Sequence, residues 1–459
     1  MFKKFLSFFK QKHAITYSLI ALSIPAIIEQ VMSTLLQYID TAMVGHLGEQ
    51  ATAAVSMTTT ITWLVGSIQY AVGTAFLALI AKSVGAKQNE QIKKYSSHAL
   101  FISIVIGIFL GAVSILLSPF IPIWMGAEKE IQKPASLYFL IISIPMIFRT
   151  MTTVLGCAVR ATKDTRTPMF IGIAENVLNI ILNYIFIYML RMGVTGAAIG
   201  SAISYSVSGI LMLYVFEKNT TLRQHDFSKK LNYHFKPDAV VLKECASIGI
   251  PLLGTNCASC LGYIVFASLV SGMGTVVFAA HSIAVTAESL FYIPGYGLKV
   301  AISTLIGNAL GENDFSKINS LKKSGIFLSV FLMIISGLIL YFTSLPLMNF
   351  FTTSHEVAVL GSQMLKLVAF SEPFFGLMII MEGIYNGLGK TKYPFFIETF
   401  SMWGIRILSA FIVVHVFHLQ LQAVWYCMIA DNVFKAVILF GMNCKKNLFS
   451  KNFIKQFYK

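Results

Sequence analysis

Charge is what this sequence has least of. Only 12% of its 459 residues are Asp, Glu, Lys or Arg, about half the share usual in a soluble domain. That scarcity excludes a large water-exposed surface, and with it most soluble enzyme folds. Short segments of alternating polarity are missing too, which excludes the two-faced strands of an outer-membrane barrel. Cysteine is sparse: six in all, each in an apolar stretch or beside a basic segment, so no disulfide framework is expected. Cys257 and Cys260 have redox-motif spacing, but inside an apolar block they read as small residues at a helix contact. A nucleotide-binding GxxxxGK[ST] loop is absent. His46, His281, His355, His415 and His418 share no metal-ligand spacing. A nucleotide-dependent enzyme and a metalloenzyme are both disfavoured.

What the sequence has is apolar length. Hydrophobic residues make up 56% of the chain and gather in blocks such as 100–117 and 326–342. About 20 apolar residues, rising 1.5 Å each, cross the ~30 Å hydrocarbon core. Blocks of that order recur at 16–44, 52–81, 97–124, 134–159, 167–190 and 195–216. A second set follows at 246–270, 278–309, 324–350, 358–388, 393–417 and 421–442. The expected fold is an all-α integral membrane protein of about twelve transmembrane helices. Residues 1–13 mix lysine with phenylalanine and are expected to lie along the membrane interface. No small-residue cleavage site follows the first apolar stretch, so they do not read as a cleaved leader.

The net charge of +15 takes its meaning from where it sits. Twenty-seven of the 35 Lys and Arg fall in the N-terminal tail, the even-to-odd connections and the C-terminal tail. They include Lys3, Lys4, Lys87, Lys93, Lys163, Arg166, Lys229, Lys230, Lys317, Lys322, Lys390, Lys392, Lys445 and Lys446. The opposite connections hold only Lys129, Lys133 and Arg191, and Arg149, Lys299, Lys366, Arg406 and Lys435 lie inside spans. By the positive-inside rule this places both termini in the cytoplasm of a cell with a multi-pass inner (plasma) membrane protein. The partners expected of the basic segments are anionic lipids rather than nucleic acid.

An offset of 226 or 227 residues superposes the halves. Pro25 meets Pro251, Gly48 meets Gly274, Ala53 meets Ala279 and Gly85 meets Gly311. Gly156 meets Gly383, Lys163 meets Lys390 and Ala197 meets Ala423. Six helices per repeat is even, so both halves enter the membrane in one direction and are related by a pseudo-two-fold axis along the membrane normal. The expected organisation is an N-lobe over 1–216, a cytoplasmic linker over 217–243, a C-lobe over 244–442 and a basic tail over 443–459. Repeats of this kind enclose a central site opened alternately to each side, which favours a transporter over an enzyme.

Several segments resemble the multidrug and toxic compound extrusion (MATE) transporters. Ile24-Pro25, followed by Tyr38-Ile39-Asp40-Thr41-Ala42-Met43-Val44-Gly45-His46-Leu47-Gly48, is similar to that family's opening signature. Ala279-Ala280-His281-Ser282-Ile283 through Leu310-Gly311-Glu312 is similar to its second-lobe counterpart. Gly383 to Thr391 resembles the glycine-rich turn after its tenth helix, and Asn179 to Tyr184 a motif in its fifth. The resemblance spans nearly the whole chain in order. It implies two six-helix lobes around a cavity, and export of mostly cationic, amphipathic small organic molecules in exchange for protons or sodium ions, with no cofactor.

Intramembrane acids are functional suspects, and this chain has Glu29, Asp40, Glu175, Glu288, Glu372, Glu382, Glu398 and Asp431. Asp40 is the leading candidate for ion coupling. Burial disfavours the charged form of any carboxyl, so a proton and a cationic cargo compete for one such group. The competing reading has Asp40 near a helix end, reaching for water. Asn179 and Asn183 are four apart and share a helix face. Their amide oxygens are expected to orient Asp40 or complete an oxygen shell for sodium with it; the plainer reading is interhelical glue. Some relatives have an acid where Asn183 stands, which weakens the sodium case. An acid that sodium-coupled and eukaryotic relatives often carry midway along the seventh helix is absent from 248–270.

Glu372, Glu382 and Glu29 are the accessory candidates. Glu372 precedes Pro373 at an expected kink, where freed carbonyls can help hold a cation; its plainer reading is a salt bridge to Lys366 or Arg406. Glu29 lies eleven residues, about three turns, before Asp40 and so faces the same way, with Arg149 as its expected partner. Glu288, Glu398 and Asp431 are read as partners of Lys299, Arg406 and Lys435. The leading functional expectation is a proton-coupled (alternatively sodium-coupled) antiporter acting as a monomer. The alternative is a lipid-linked precursor flippase of a related two-lobe plan, whose cavity would need several basic residues; Arg149, Lys299 and Lys366 are the candidates. A channel would not need two bistable lobes.

Overall fold

The computed structural model describes residues 2–223 and 237–444, with side chains over 14–222 and 237–444. Twelve helical spans account for nearly all of it. In the first half they are α1 (Phe2–Gly45), α2 (Glu49–Gly85), α3 (Asn89–Leu117), α4 (Lys129–Ser143 and Met146–Ala161), α5 (Arg166–Met189) and α6 (Gly193–Lys218). In the second half they are α7 (Ala239–Ser271), α8 (Thr275–Gly311), α9 (Phe315–Phe351), α10 (His355–Ala369 and Glu372–Gly387), α11 (Lys392–His415) and α12 (Leu421–Cys444). Each is apolar around most of its circumference, as a helix packed on one side against protein and on the other against lipid must be. The expectations for 1–13 along the interface, for Lys229 and Lys230 within the linker, and for Lys445 and Lys446 in the tail lie outside the described side chains.

Two spans are broken, at the same place in each half. α4 bends by 51° between its pieces and α10 by 58°. Proline stands at both breaks: Pro145 just before the second piece of α4, and Pro373 in the first turn of the second piece of α10. Proline lacks a backbone N–H and is best accommodated at the start of a helix, which suits both restarts, although Pro25, Pro251 and Pro346 lie within the unbroken α1, α7 and α9. The kink expected at Glu372-Pro373 is present.

The backbone repeats as the sequence does. Eight of the ten positive φ angles among the described residues fall in pairs separated by 226 or 227 residues: Gly48 (107°) with Gly274 (117°), Lys87 (54°) with Asn313 (55°), Lys163 (71°) with Gly389 (68°), and Arg191 (53°) with His418 (49°). Gly48 and Gly274 lead into the second helix of their halves with an angle that side chains rarely adopt.

Where the halves meet, at the end carrying the basic connections, the contact is reciprocal. A β-carbon on Gly85 would fall 1.9 Å from the carbonyl oxygen of Asn308, and one on Gly311 would fall 1.9 Å from that of Lys82. Asn308 and Lys82 are themselves 226 apart, so the two-fold maps one contact onto the other. α2 and α8 therefore touch backbone to backbone. The first helix of each half also crosses over. Ile15 and Leu19 of α1 are buried in the C-lobe core with Leu298, Ile302 and Met381, while Val241, Cys245 and Ile248 of α7 are buried in the N-lobe core with Ala75, Leu100 and Val154. A polar tie flanks this junction. Lys94 of α3 pairs with Asp238 at 2.5 Å, the Asp238 backbone N–H donates to His98 Nε2, and Tyr95 donates to Glu244 at 2.6 Å. The Lys94 ammonium holds the Asp238 carboxyl below the usual carboxylate range, so the tie is present at neutral pH and is lost only as pH falls through that lowered value.

Adding one methyl group at Gly85 or Gly311 overpacks this seam, at about 1–3 kcal/mol. In a cysteine-free background, a cysteine at the fully buried Ala81 should react faster with a soluble maleimide once Gly311→Ala is added. Unchanged labelling would mean the seam does not hold the basic end shut.

Candidate functional site

Asp40 lies in α1, little more than one turn before Gly45, and is half-buried. α5 runs beside it and presents Asn179 and Asn183 one turn apart, both buried. Asn183 Nδ2 donates to Asp40 Oδ1 at 2.9 Å and to Asn179 Oδ1 at 2.9 Å; Asn179 Nδ2 in turn donates to Ser201 Oγ of α6 at 3.0 Å. The structure thus brings together the three residues singled out for coupling and adds Ser201. Gly200 makes room for the group: a β-carbon there would sit 2.2 Å from Asn183 Oδ1. Immediately after Asn183 the helix widens into a π-turn, Tyr184–Met189, a distortion frequent at functional sites.

The amide faces Asp40 with nitrogen, correcting the expectation that its oxygen would do so. Asn183 Oδ1 points instead at the Gly200 backbone and has no hydrogen-bond partner. A hard cation needs a shell of oxygens, and this donor set offers Asp40 an N–H. Among the described residues no group of three or more His, Cys, Asp or Glu could hold a metal ion.

Glu29 faces α5 as its spacing predicts, against Gly172. Its partner is not Arg149, however. Arg160 Nη2 donates to both Glu29 oxygens, at 2.5 and 2.8 Å, while the Arg149 guanidinium lies over the Tyr205 ring, 5.3 Å from its centroid. Arg160 sits at the very end of an apolar block, which reads as loop, yet it occupies the last turn of α4. Glu29 is therefore a paired acid, separate from the Asp40 cluster by about 16 Å along the helix.

The C-lobe overturns most of the expected pairings. Lys299 pairs with Glu382, not Glu288. Glu288 accepts from the Tyr292 hydroxyl. Arg406 pairs with Asp431 at 2.8 Å, not with Glu398, and Asp431 keeps its expected partner Lys435 at 2.9 Å. Glu398 is buried, and its Oε1 has no hydrogen-bond partner among the described residues. Glu372 makes no salt bridge to Lys366 or Arg406: it is 1% exposed, and neither carboxyl oxygen has a hydrogen-bond partner. Among the described residues nothing within hydrogen-bond reach answers its charge. Helix rotation decides these pairings, and rotation is hard to read in helices that are apolar all round.

The three bases named for a flippase cavity have separate surroundings. Lys299 is neutralised by Glu382, Arg149 stacks on tyrosine, and Lys366 lines a cleft on the flank of the C-lobe.

Comparisons with known proteins agree with this architecture. The MatE family model matches residues 25–185 and 251–412, one copy per lobe. A Thermotoga maritima protein described as the probable multidrug resistance protein NorM is 29% identical, over 92% of this chain and 90% of its own. The probable multidrug resistance protein YoeA of Bacillus subtilis is 24% identical over 94% of both chains. Among solved structures, an outward-facing conformation of a multidrug resistance MATE family transporter of the MOP superfamily aligns with a TM-score of 0.89 at 21% identity, covering 95% of this chain and 97% of that one. The Vibrio cholerae MATE transporter VcmN in its bent form aligns with a TM-score of 0.86 at 19% identity, covering 97% and 98%. With the family model matched twice across two six-helix lobes, the chain belongs to the MATE family of membrane transporters.

Proposed function

We propose that this chain exports amphipathic, mostly cationic organic compounds in exchange for protons, with its lobes exposing Asp40 to each side of the membrane in turn. The observation that carries this reading is the partner of Asp40. Glu29, the other acid of α1, is occupied by Arg160, whereas the hydrogen bond to Asp40 comes from a neutral amide. Its negative charge is thus left for a proton or a cation to answer, and one carboxyl cannot answer both at once. The proton is preferred to sodium because Asn183 turns its N–H to the site. Glu372, buried without a partner, is the candidate second proton-holding group; Glu382 and Glu29 serve as counter-ions to Lys299 and Arg160.

The basic end is assigned to the cytoplasmic side of the plasma membrane, with both termini there, because 27 of the 35 Lys and Arg lie beyond the apolar blocks on that side. The lobe bounds 1–216 and 244–442 follow the repeat. A single chain supplies both lobes, so the monomer is a sufficient unit, with membrane lipid as its surroundings and no cofactor beyond the coupling ion.

Asp40→Asn keeps the shape but cannot release a proton. In proteoliposomes under an imposed pH gradient, efflux of a cationic dye should fall to that of protein-free liposomes, with expression and unfolding temperature intact. Undiminished efflux would remove Asp40 from the mechanism, and transport by the native chain under a sodium gradient alone would replace the proton by sodium. Two protons, one on Asp40 and one on Glu372, against one monovalent cation move one net charge, so collapsing the membrane potential with valinomycin and potassium should slow this efflux. Unchanged efflux would mean one proton per cation and would leave Glu372 without a coupling role.

Replacing Glu372 by methionine removes an unpartnered polar group with a side chain of similar bulk, which is neutral or stabilising. The unfolding temperature should hold or rise while protons exchanged per dye decrease. A drop of several degrees would reveal a partner for the carboxyl.

A further inference from the structure

Each lobe carries a cleft on its flank at the break in its fourth span, and the two clefts differ in chemistry. In the N-lobe, a space of about 200 Å³ is lined by Ile141, Ile144, Pro145 and Phe148 of α4 and by Ile199 and Ile203 of α6. In the C-lobe, a space of about 570 Å³ is lined by Leu367, Phe370, Ser371 and Phe374 of α10, with Tyr426 and Ile429 of α12. An offset of 226 carries Ile141, Ile144, Pro145 and Phe148 onto Leu367, Phe370, Ser371 and Phe374. Glycine packing confirms the register nearby: Gly111 faces the Ser143 carbonyl, and Gly337, 226 further on, faces the Ala369 carbonyl. The clefts are thus one site present twice. The N-lobe copy has Ser206 as its polar lining, whereas the C-lobe copy adds Tyr341, Gln363 and Lys366 where the N-lobe sequence has Ile115, Leu137 and Leu140.

Lys366 is the decisive difference. It stands one turn before the bend, eleven residues from His355, or about 16 Å along the helix and so near the middle of a ~30 Å hydrocarbon core. Among the described residues no carboxylate lies within ion-pair distance, and the ammonium stands 6.0 Å from the centre of the Tyr341 ring. The surroundings are lipid-facing: Phe342 on α9 is 77% exposed and Phe370 at the cleft 73% exposed. An ammonium held in hydrocarbon without a counter-ion is unfavourable, and an anion already dissolved in the bilayer would relieve it.

We propose that this C-lobe cleft binds a single-chain lipophilic carboxylic acid from the bilayer. The carboxylate sits on Lys366, within reach of Gln363 and the Tyr341 and Tyr426 hydroxyls, and the chain lies along the apolar flank of α9. The depth of Lys366 argues for a single-chain acid over a phospholipid, whose phosphate stays at the interface. The site lies away from Asp40 and does not depend on the transport reading.

The test is native mass spectrometry of the full chain titrated with oleate, with methyl oleate and phosphatidylglycerol as comparison ligands. The native protein and Lys366→Arg should take up one saturable oleate. Lys366→Leu, which installs the N-lobe residue type, should bind at least about tenfold more weakly, and methyl oleate should not compete. Lys366→Gln serves in its place if the leucine variant fails to fold. Equal oleate binding by native and neutral variants, or equal binding of methyl oleate, would overturn the proposal. So would Lys366-dependent displacement of oleate by phosphatidylglycerol, which would assign the cleft to a phospholipid headgroup.

Discussion

The two lobes are joined by backbone set against backbone. Gly85 lies on the carbonyl of Asn308 and Gly311 on that of Lys82, a closeness that no side chain at either glycine would permit. Because the contacts are copies of each other, the seam has the symmetry of the repeat and closes on both sides together. Everything at the opposite end, including Asp40 beside Asn183, is placed by helices whose basic ends are fixed at this line. A two-state machine needs one seam that is either made or unmade, and contact between packed backbones is a discrete interaction of that sort.

Charge within the membrane is handled differently by the two lobes. In the N-lobe one acid is matched to arginine and another is held by an asparagine, itself held by a second asparagine and a serine. In the C-lobe, Lys299 pairs with Glu382, and Arg406 and Lys435 both pair with Asp431, with Glu372 left outside both groups. Breaking a buried pair by removing one member leaves an uncompensated charge and costs several kcal/mol. Glu382 and Asp431 are therefore fold-critical in a way Glu372 is not. Presence of an acid in a span does not by itself mark a working group; its partner decides.

Much of this was readable before any coordinates. Composition and block length gave the spans, because lipid imposes one length and one polarity on everything that crosses it. The 226-residue offset gave the repeat, because glycine and proline mark backbone geometry that both copies need. Asn179 and Asn183 were placed on one face by spacing alone. The pairings were not legible. Glu29 found Arg160 rather than Arg149, and Lys299 found Glu382 rather than Glu288, because rotation about the helix axis sets them and uniformly apolar helices carry no polar face to report that rotation. Gly200 was missed for a related reason: its use lies in what a neighbouring helix places against it.

The crossing of α1 and α7 bears on how the protein is made. Ile15 and Leu19 leave the ribosome well before Leu298, Met381 and Leu439, which form part of the surface that buries them. Until the second half is inserted, α1 has no complete place to dock and must wait in the lipid. It is thus completed after helices made later than itself, and an N-terminal half made alone would carry an unfilled seat for α7.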